Sequence, residues 1–115
     1  MSDEKWVKMS QENVETERST CGFRRRLLTK DDGAPASITC LTTHDAKPHW
    51  HEYTHEYYYV VKGEGVIYID DEEVPVTAGE VVWIKPPAKH RAVGDLESLI
   101  VGIPAFDTED MYFEE

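Results

Sequence analysis

The stretch "HWHEYTHEYYYVVKGEG", residues 49–65, joins a cluster of histidines to a run of tyrosine and valine that ends in glycines. Tyrosine and valine favour extended backbone, so a β-strand is predicted over residues 56–62. In an extended segment, side chains two positions apart lie on one face, and His49 and His51 can therefore reach a common point. The stretch predicts two ligands of a metal site just before a strand.

From residue 22 to residue 106 the chain alternates β-rich runs with turn-forming residues. No helical periodicity of useful length occurs there, and the prolines would interrupt a long helix. Many short strands at close spacing are typical of a sandwich or a barrel, so an all-β fold is predicted. The predicted strands are 36–43, 56–62, 66–70, 73–76, 81–85, 91–93 and 98–103.

The chain has 115 residues, which fits one domain with a single core. Residues 1–21 are polar and weakly periodic, and are predicted to form either a flexible N-terminal arm or an edge strand that docks on a neighbouring subunit. Residues 22–106 are predicted to form the β-barrel. Residues 107–115 are interpreted as an acidic C-terminal tail without a functional role, with at most one helical turn begun by Asp107 or Thr108.

Charge and composition exclude several kinds of partner. The 12 Lys and Arg against 23 Asp and Glu give a formal charge of −11, which repels nucleic acid. No apolar run is long enough for a membrane span, and the N-terminus lacks the apolar core of a signal peptide, so a cytoplasmic location without membrane contact is predicted. Two cysteines, Cys21 and Cys40, without CxxC spacing fit a reducing compartment.

Two further ligands are candidates. Glu56 is out of phase with His51, so the chain between them must turn or bulge to return the carboxylate to the same point. His90, at the start of another predicted strand, would add a ligand from a second element. Three imidazoles and one carboxylate suit one divalent Fe, Mn, Zn, Ni or Cu ion. His55 and His44 are interpreted as surface histidines.

Several other side chains are candidates for substrate contacts. Strand alternation from Glu56 would turn Tyr58 inward, where it is a candidate catalytic acid. The arginines of "FRRRLL", residues 23–28, are interpreted as an outer strand edge paired with carboxylates. If one faces a cavity instead, Arg24 or Arg26 is a candidate for binding an anionic substrate. Trp83 is a candidate pocket aromatic, although most such aromatics fill cores or dimer faces.

The positions His49, His51, Glu56 and Gly63 resemble the first motif of the cupin superfamily, a histidine pair followed by a glutamate and a glycine. "GEVVWIKPPAKH", residues 79–90, is similar to the second motif, which ends in a histidine. The resemblance, to a small single-domain cupin, implies a jelly-roll β-barrel with one metal held by His49, His51, Glu56 and His90. The sequence departs from the second motif's proline, glycine and asparagine positions, which are Lys85, Pro87 and Gly94.

The resemblance implies a family that includes dioxygenases, decarboxylases, isomerases and lyases. We therefore expect a mononuclear metalloenzyme acting on a small oxygen-bearing metabolite. The alternative is a non-catalytic cupin that binds a sugar or a carboxylic acid, since fold does not fix function. The apolar runs "VIYI", "VVWI" and "LIVGI" exceed what a small interior needs, so a homodimer is also predicted.

Overall fold

The protein is described by a computed structural model that covers residues 5–114. Strands dominate this part of the chain, and the all-β prediction is confirmed. Two short 3-10 helices, Gln11–Asn13 and Lys30–Asp32, accompany the strands. The described residues contain no helix that is both long and apolar enough to cross a membrane. The strands are β1 (Glu17–Ser19), β2 (Gly22–Leu28), β3 (Ser37–Thr43), β4 (His55–Ile69), β5 (Glu72–Thr77), β6 (Val81–Ile84) and β7 (His90–Ile103).

The strands form an antiparallel sheet in the order β1-β2-β3-β7-β4-β5, and β6 pairs with β4 beside this path. β4 and β7 pair from His55 opposite Ile103 to Ile69 opposite His90. Glu56 and His90 lie at opposite ends of this ladder. They come together because Glu56 is opposite Ile84 of β6, which the turn of residues 85–89 connects to His90, and because His90 forms a bridge with His49.

β4 and β7 were each expected as two strands, and the structure corrects this. The residues "KGEG" and "GDLE" lie within the ladder instead of forming turns. Gly63 has a φ of 91°, and a Cβ there would collide with the carbonyl of Asp95. Glycine therefore lets the two backbones approach closely, so the strands continue where the local sequence favours a turn.

The apolar core lies on the inward face of the curved sheet. Side chains alternate in the first half of β4: Glu56, Tyr58 and Val60 are buried, whereas Tyr59 and Val61 are exposed. The inward placement of Tyr58 that alternation predicts is confirmed. The apolar cluster contains Tyr58, Val60, Ile67, Val76, Ile84, Ala92 and Leu96.

The N-terminal segment docks on its own chain. β1 pairs with β2, with Glu17 opposite Arg24. Farther from the sheet, Arg25 donates from Nε to the Thr16 hydroxyl over 2.8 Å and from Nη1 to the carbonyl of Gln11 over 3.2 Å. The described part of the expected arm is thus an edge strand with a preceding turn, while its exchange with a second subunit stays a prediction.

Candidate metal centre

Four buried side chains converge at one end of the barrel: His49, His51, Glu56 and His90. One ligand atom from each lies within 4.8 Å of the others. They come from a loop before β4, from β4 itself and from the first residue of β7. The structure brings together all four residues that the sequence indicated, and they are placed to bind a metal ion.

The orientation of each imidazole is set by a backbone carbonyl. Nδ1 contacts the carbonyl oxygen of Lys47 at 2.9 Å in His49, of Asp110 at 2.6 Å in His51 and of Ala88 at 3.0 Å in His90. A carbonyl oxygen only accepts, so Nδ1 of each ring carries the proton and donates it. Each Nε2 is left with a lone pair, which is the arrangement that metal-bound histidines require.

The lone pairs of the nitrogen and oxygen atoms in this cluster lie close together, and a bound cation would relieve their mutual repulsion. Glu56 Oε1 lies 3.0 Å from His51 Nε2 and 2.9 Å from His90 Nε2. Despite these distances, all three atoms are buried without a hydrogen-bond partner among the described residues. Nitrogen and oxygen ligands bind a transition metal at about 2.0–2.2 Å, so four ligand atoms that lie within 4.8 Å of one another would be able to hold one ion. The donor set and its spacing therefore fit a divalent transition metal.

Burial and mutual contact perturb the protonation of these groups. Burial lowers the pKa of His49 to about 4, and the neighbouring His90 adds to this effect. Burial alone would also lower the pKa of His51, but the Glu56 carboxylate raises it. Burial acts to raise the pKa of Glu56, but without a metal its contacts with protonated Nε2 of His51 and His90 hold it well below its usual range. Glu56 is therefore an anion in the cluster.

A β-bridge joins the two halves of the site. The amide of His90 donates to the carbonyl of His49 over 2.9 Å, and the amide of His49 donates back over 3.2 Å. The turn before His90 is closed by the amide of Ala88, which donates to the carbonyl of Lys85 over 3.0 Å. The departures from the family motif at Lys85 and Pro87 therefore leave His90 aimed at the centre.

The end of the chain is part of the site, which corrects its interpretation as a tail without function. Asp110 is buried, and its carboxylate accepts hydrogen bonds from the amides of Glu52 (2.8 Å), Tyr53 (3.1 Å) and Thr54 (3.2 Å). Its carbonyl accepts from Nδ1 of His51. The turn expected at Asp107 does occur, with the amide of Asp110 donating to its carbonyl.

A cavity of about 360 Å³ is lined by three of the four ligands, His49, His51 and Glu56. Tyr58 lies in its wall, with its ring centroid 6.0 Å from that of His90. Burial raises the pKa of Tyr58 well above its usual value, and the charge of Glu56 adds to this. Sγ of Cys21 lies 3.9 Å from Nε2 of His49. Burial raises the pKa of this thiol to about 12. Both side chains are neutral proton donors at physiological pH.

The remaining candidate residues for substrate contacts do not all lie at the cavity. Arg24 lines the cavity, whereas Arg26 does not and instead pairs with Glu17. Trp83 is not at the cavity either, which corrects its role as a pocket aromatic. It is half exposed on the outer face of the sheet, stacks on Tyr57, and donates from its indole nitrogen to His55 over 3.1 Å. His55 is thereby held outside the site, as expected.

Sequence reasoning missed several residues that the structure places at the site. Asp110 was hidden in an acidic segment, although the apolar trio 111–113 interrupting that segment was an available signal. The other missed residues in the cavity wall come from distant parts of the chain. They include Arg18, Cys21, Phe106, Thr108 and Met111.

Comparison with known proteins agrees with this structure. The sequence model of the family described as "Cupin domain" matches residues 40–98. An uncharacterized protein of Methanocaldococcus jannaschii is 30% identical over 66 residues, which are 54% of this chain and 53% of that protein. The chain thus spans about half the length of this curated relative.

Solved structures share the fold over nearly the whole chain. A protein from Planctomyces limnophilus is 26% identical, with 97% of this chain and 100% of that chain covered and a TM-score of 0.89. The Streptomyces nucleoside dehydratase Pac13 is 21% identical, with 96% and 92% covered and a TM-score of 0.85. Ectoine synthase from P. lautus is 24% identical, with 93% and 88% covered and a TM-score of 0.72. The last two similarities establish the fold alone.

Proposed function

The chain is a member of the cupin domain family, and we propose that it binds one divalent transition metal through His49, His51, Glu56 and His90. The observation that carries the proposal is the convergence of four buried ligand atoms, of which those of His51, Glu56 and His90 have no hydrogen-bond partner in the described protein. Leaving these atoms dry and unpaired would cost several kcal/mol in total, on the order of 1–3 kcal/mol for each. A bound metal removes that cost.

The function that this arrangement supports best is a metal-dependent enzyme acting on a small oxygen-bearing metabolite. When bound, the metal would supply Lewis-acid or redox chemistry to an oxygen of the substrate. Tyr58, a buried phenol in the same cavity that keeps its proton at neutral pH, is placed to donate a hydrogen bond to that oxygen, and a proton once the oxygen becomes strongly basic. This favours proton-transfer reactions of the isomerase, lyase or decarboxylase type, with a dioxygenase as a further possibility for a redox metal. Structural neighbours of the chain include enzymes.

A second candidate is a metal-containing module that binds its ligand without converting it. Tyr58 and Cys21 both keep their protons near neutral pH. In the described cavity wall, the groups that could act as a base near neutrality are therefore the proposed metal ligands themselves. A binding module has no need of a free base, so this observation favours it.

The metal assignment is tested by elemental analysis of protein purified without chelator. We expect about one metal per chain in the wild type and a large loss in His49→Ala and His90→Ala. The matched control is His44→Ala, because His44 is an exposed histidine with 58% of its side chain accessible. Thermal unfolding of each variant shows whether it is folded. If both ligand variants still contain nearly one metal per chain, the assignment of the site is wrong.

Enzyme and binding module are then separated with the metal-loaded protein. Oxygen consumption and product formation are followed with diketones, sugars, phenols and carboxylic acids. Turnover that is lost in His90→Ala supports the enzyme. A ligand that binds but is recovered unchanged with every metal supports the binding module.

We also propose that the protein is a homodimer that acts in the cytoplasm. The outer face of the sheet exposes Tyr59 (45%), Val61 (58%), Val81 (60%) and Trp83 (49%). Tyr59 is the ladder partner of Val81, and its neighbour Tyr57 is that of Trp83, so these side chains form a continuous apolar patch. A second copy of the chain would cover it. Free cysteines fit a reducing compartment.

A further inference from the structure

A groove of about 720 Å³ lies on the outer face of the sheet, away from the candidate metal centre. Its floor comes from β2, β3, β7 and β4, and in residues 5–114 only its rim, at Gln11 and Thr16, comes from outside these strands. Phe23 in this floor is 43% exposed, and Val61 is 58% exposed. The groove is therefore an apolar surface without a partner. Its apolar side chains and its cysteine are Phe23, Leu27, Val61, Leu99 and Cys40.

The residues that lead into this groove along the chain are also apolar and exposed. The leading segment, residues 5–10, carries Trp6, Val7 and Met9, which are 75%, 67% and 47% exposed. In the described part of the chain, residues 5–9 form no backbone hydrogen bond with the sheet. Three large apolar side chains exposed within four positions mark an interaction surface.

The leading segment does not fill the groove of its own chain. It meets the rim at Gln11, whose carbonyl accepts from Nη1 of Arg25 over 3.2 Å, and Nε of Arg25 donates to the Thr16 hydroxyl over 2.8 Å. From this fixed rim back to Lys5, the apolar side chains of the segment are exposed to solvent. Each chain therefore carries both an open groove and an exposed apolar segment.

We propose that two copies of the chain exchange these surfaces, so that the leading segment of each copy lies in the outer groove of the other. The inference rests on the proposed homodimer and states how its two subunits hold each other. Val61 belongs both to the groove and to the apolar patch that a second copy would cover, so one continuous interface results. A two-fold axis buries the groove and the segment twice, once in each direction.

Length and charge both fit this arrangement. Five extended residues span about 17 Å, and four strands at a spacing of about 4.8 Å span about 14 Å, so the segment is long enough to cross the groove. Residues 5–10 include Lys5 and Lys8 and no carboxylate, whereas the whole chain has a formal charge of −11. Glu97, an exposed carboxylate of the groove wall, supplies a charge of the opposite sign. The segment thus brings positive charge to a negatively charged partner.

The first test measures the dissociation constant of the dimer by sedimentation equilibrium. Trp6→Ala should weaken the dimer at least about tenfold, because tryptophan is among the side chains that contribute most to interfaces. The matched control is Tyr53→Ala, which removes an aromatic ring of similar exposure, 72%, from the loop before β4 and should leave the constant unchanged. A dimer that is equally stable in wild type and Trp6→Ala would overturn the inference and leave the homodimer standing. A monomeric wild type would overturn both.

Disulfide trapping then locates the segment. Cys40 lies in the groove, whereas the other thiol, Cys21, lines the inner cavity. We expect oxidised glutathione to link the new thiol of Val7→Cys or Met9→Cys to Cys40 of the second copy, which gives a covalent dimer on a denaturing gel. Adding Cys40→Ser should abolish this dimer. A disulfide within one chain, a covalent dimer that persists without Cys40, or no disulfide in either variant would overturn the inference.

Discussion

Replacing Asp110 with alanine tests whether the end of the chain belongs to the metal centre. The carboxylate accepts three backbone hydrogen bonds, from Glu52, Tyr53 and Thr54, in the loop that carries His51. Glu52 and Tyr53 are exposed, so water can replace their lost bonds, whereas Thr54 is buried and its amide would be left unpaired. We therefore expect the free energy of unfolding to fall by about 2–3 kcal/mol, since one buried orphan donor and two weakened charged bonds contribute. That loss corresponds to a fall of about 10 °C in Tm.

The same substitution should weaken metal binding. The carbonyl of Asp110 accepts from Nδ1 of His51 over 2.6 Å, and it stays in position only if the carboxylate anchors residues 52–54. Residues that orient a metal-bound histidine contribute about ten- to a hundredfold to metal affinity. We expect a loss of that size in Asp110→Ala, measured by competition with a chromophoric chelator at pH 7.5.

Asp107→Ala is the matched control, because Asp107 belongs to the same segment but pairs with Lys30 on the surface over 2.6 Å. Exposed ion pairs contribute about 1 kcal/mol or less, so its stability and metal affinity should change little. A lower Tm with unchanged metal affinity in Asp110→Ala would show that the segment only supports the fold. Unchanged values of both would refute the reasoning about the buried carboxylate.

Three further predictions concern the protons, the catalytic acid and the assembly. Burial acts to lower the pKa of His51 but the Glu56 carboxylate raises it, so a proton competes with the metal for this ring as the pH falls. Metal affinity should fall as the pH drops from 8 to 5, and a flat profile over this range would contradict histidine ligation. If the protein is an enzyme, Tyr58→Phe should keep its metal and lose at least about tenfold in kcat, and an unchanged kcat in steady-state assays would exclude Tyr58 as the acid. Sedimentation at micromolar concentration should give twice the 13.2 kDa mass of one chain and the monomer for Tyr59→Lys, so a monomeric wild type would refute the dimer.

The candidate ligands could be predicted from the sequence because their geometry is mostly local. His49 and His51 are two residues apart, so extended-strand periodicity brings these two donors near one another, whereas Glu56 joins them because the chain bends at residues 52–53 before β4. His90 was a candidate only as the later histidine at the start of another predicted strand, because its approach depends on the pairing of Glu56 with Ile84 in β6 and on the bridge to His49. The carbonyls that orient the imidazoles carry no sequence signature of their own, since every residue has a carbonyl.

The residues that the sequence misplaced are those whose position depends on distant pairing. All four residues of "VVWI" are apolar, so the local sequence does not indicate which two face inward. The structure buries Ile84 and exposes Trp83, because Trp83 is opposite Tyr57 on the outer face. In "KGEG" the glycines favour a turn, but their lack of a side chain is used instead for the close approach to β7.

Side chains of β2 also alternate between the two faces of the sheet, and this alternation helps to explain why only one of its three arginines lines the cavity. Arg24 is the ladder partner of Leu41, a buried residue, whereas Arg25 is opposite Cys40 on the outer face. Arg26 again faces inward, but it lies one residue pair farther along the strand and does not reach the cavity. A slip of one residue in the pairing of β2 with β3 would turn Arg24 out of the cavity while leaving all four candidate metal donors in place. The cavity wall and the donor cluster therefore depend on different strand pairings, so substitutions in β2 should alter the cavity wall without altering metal content.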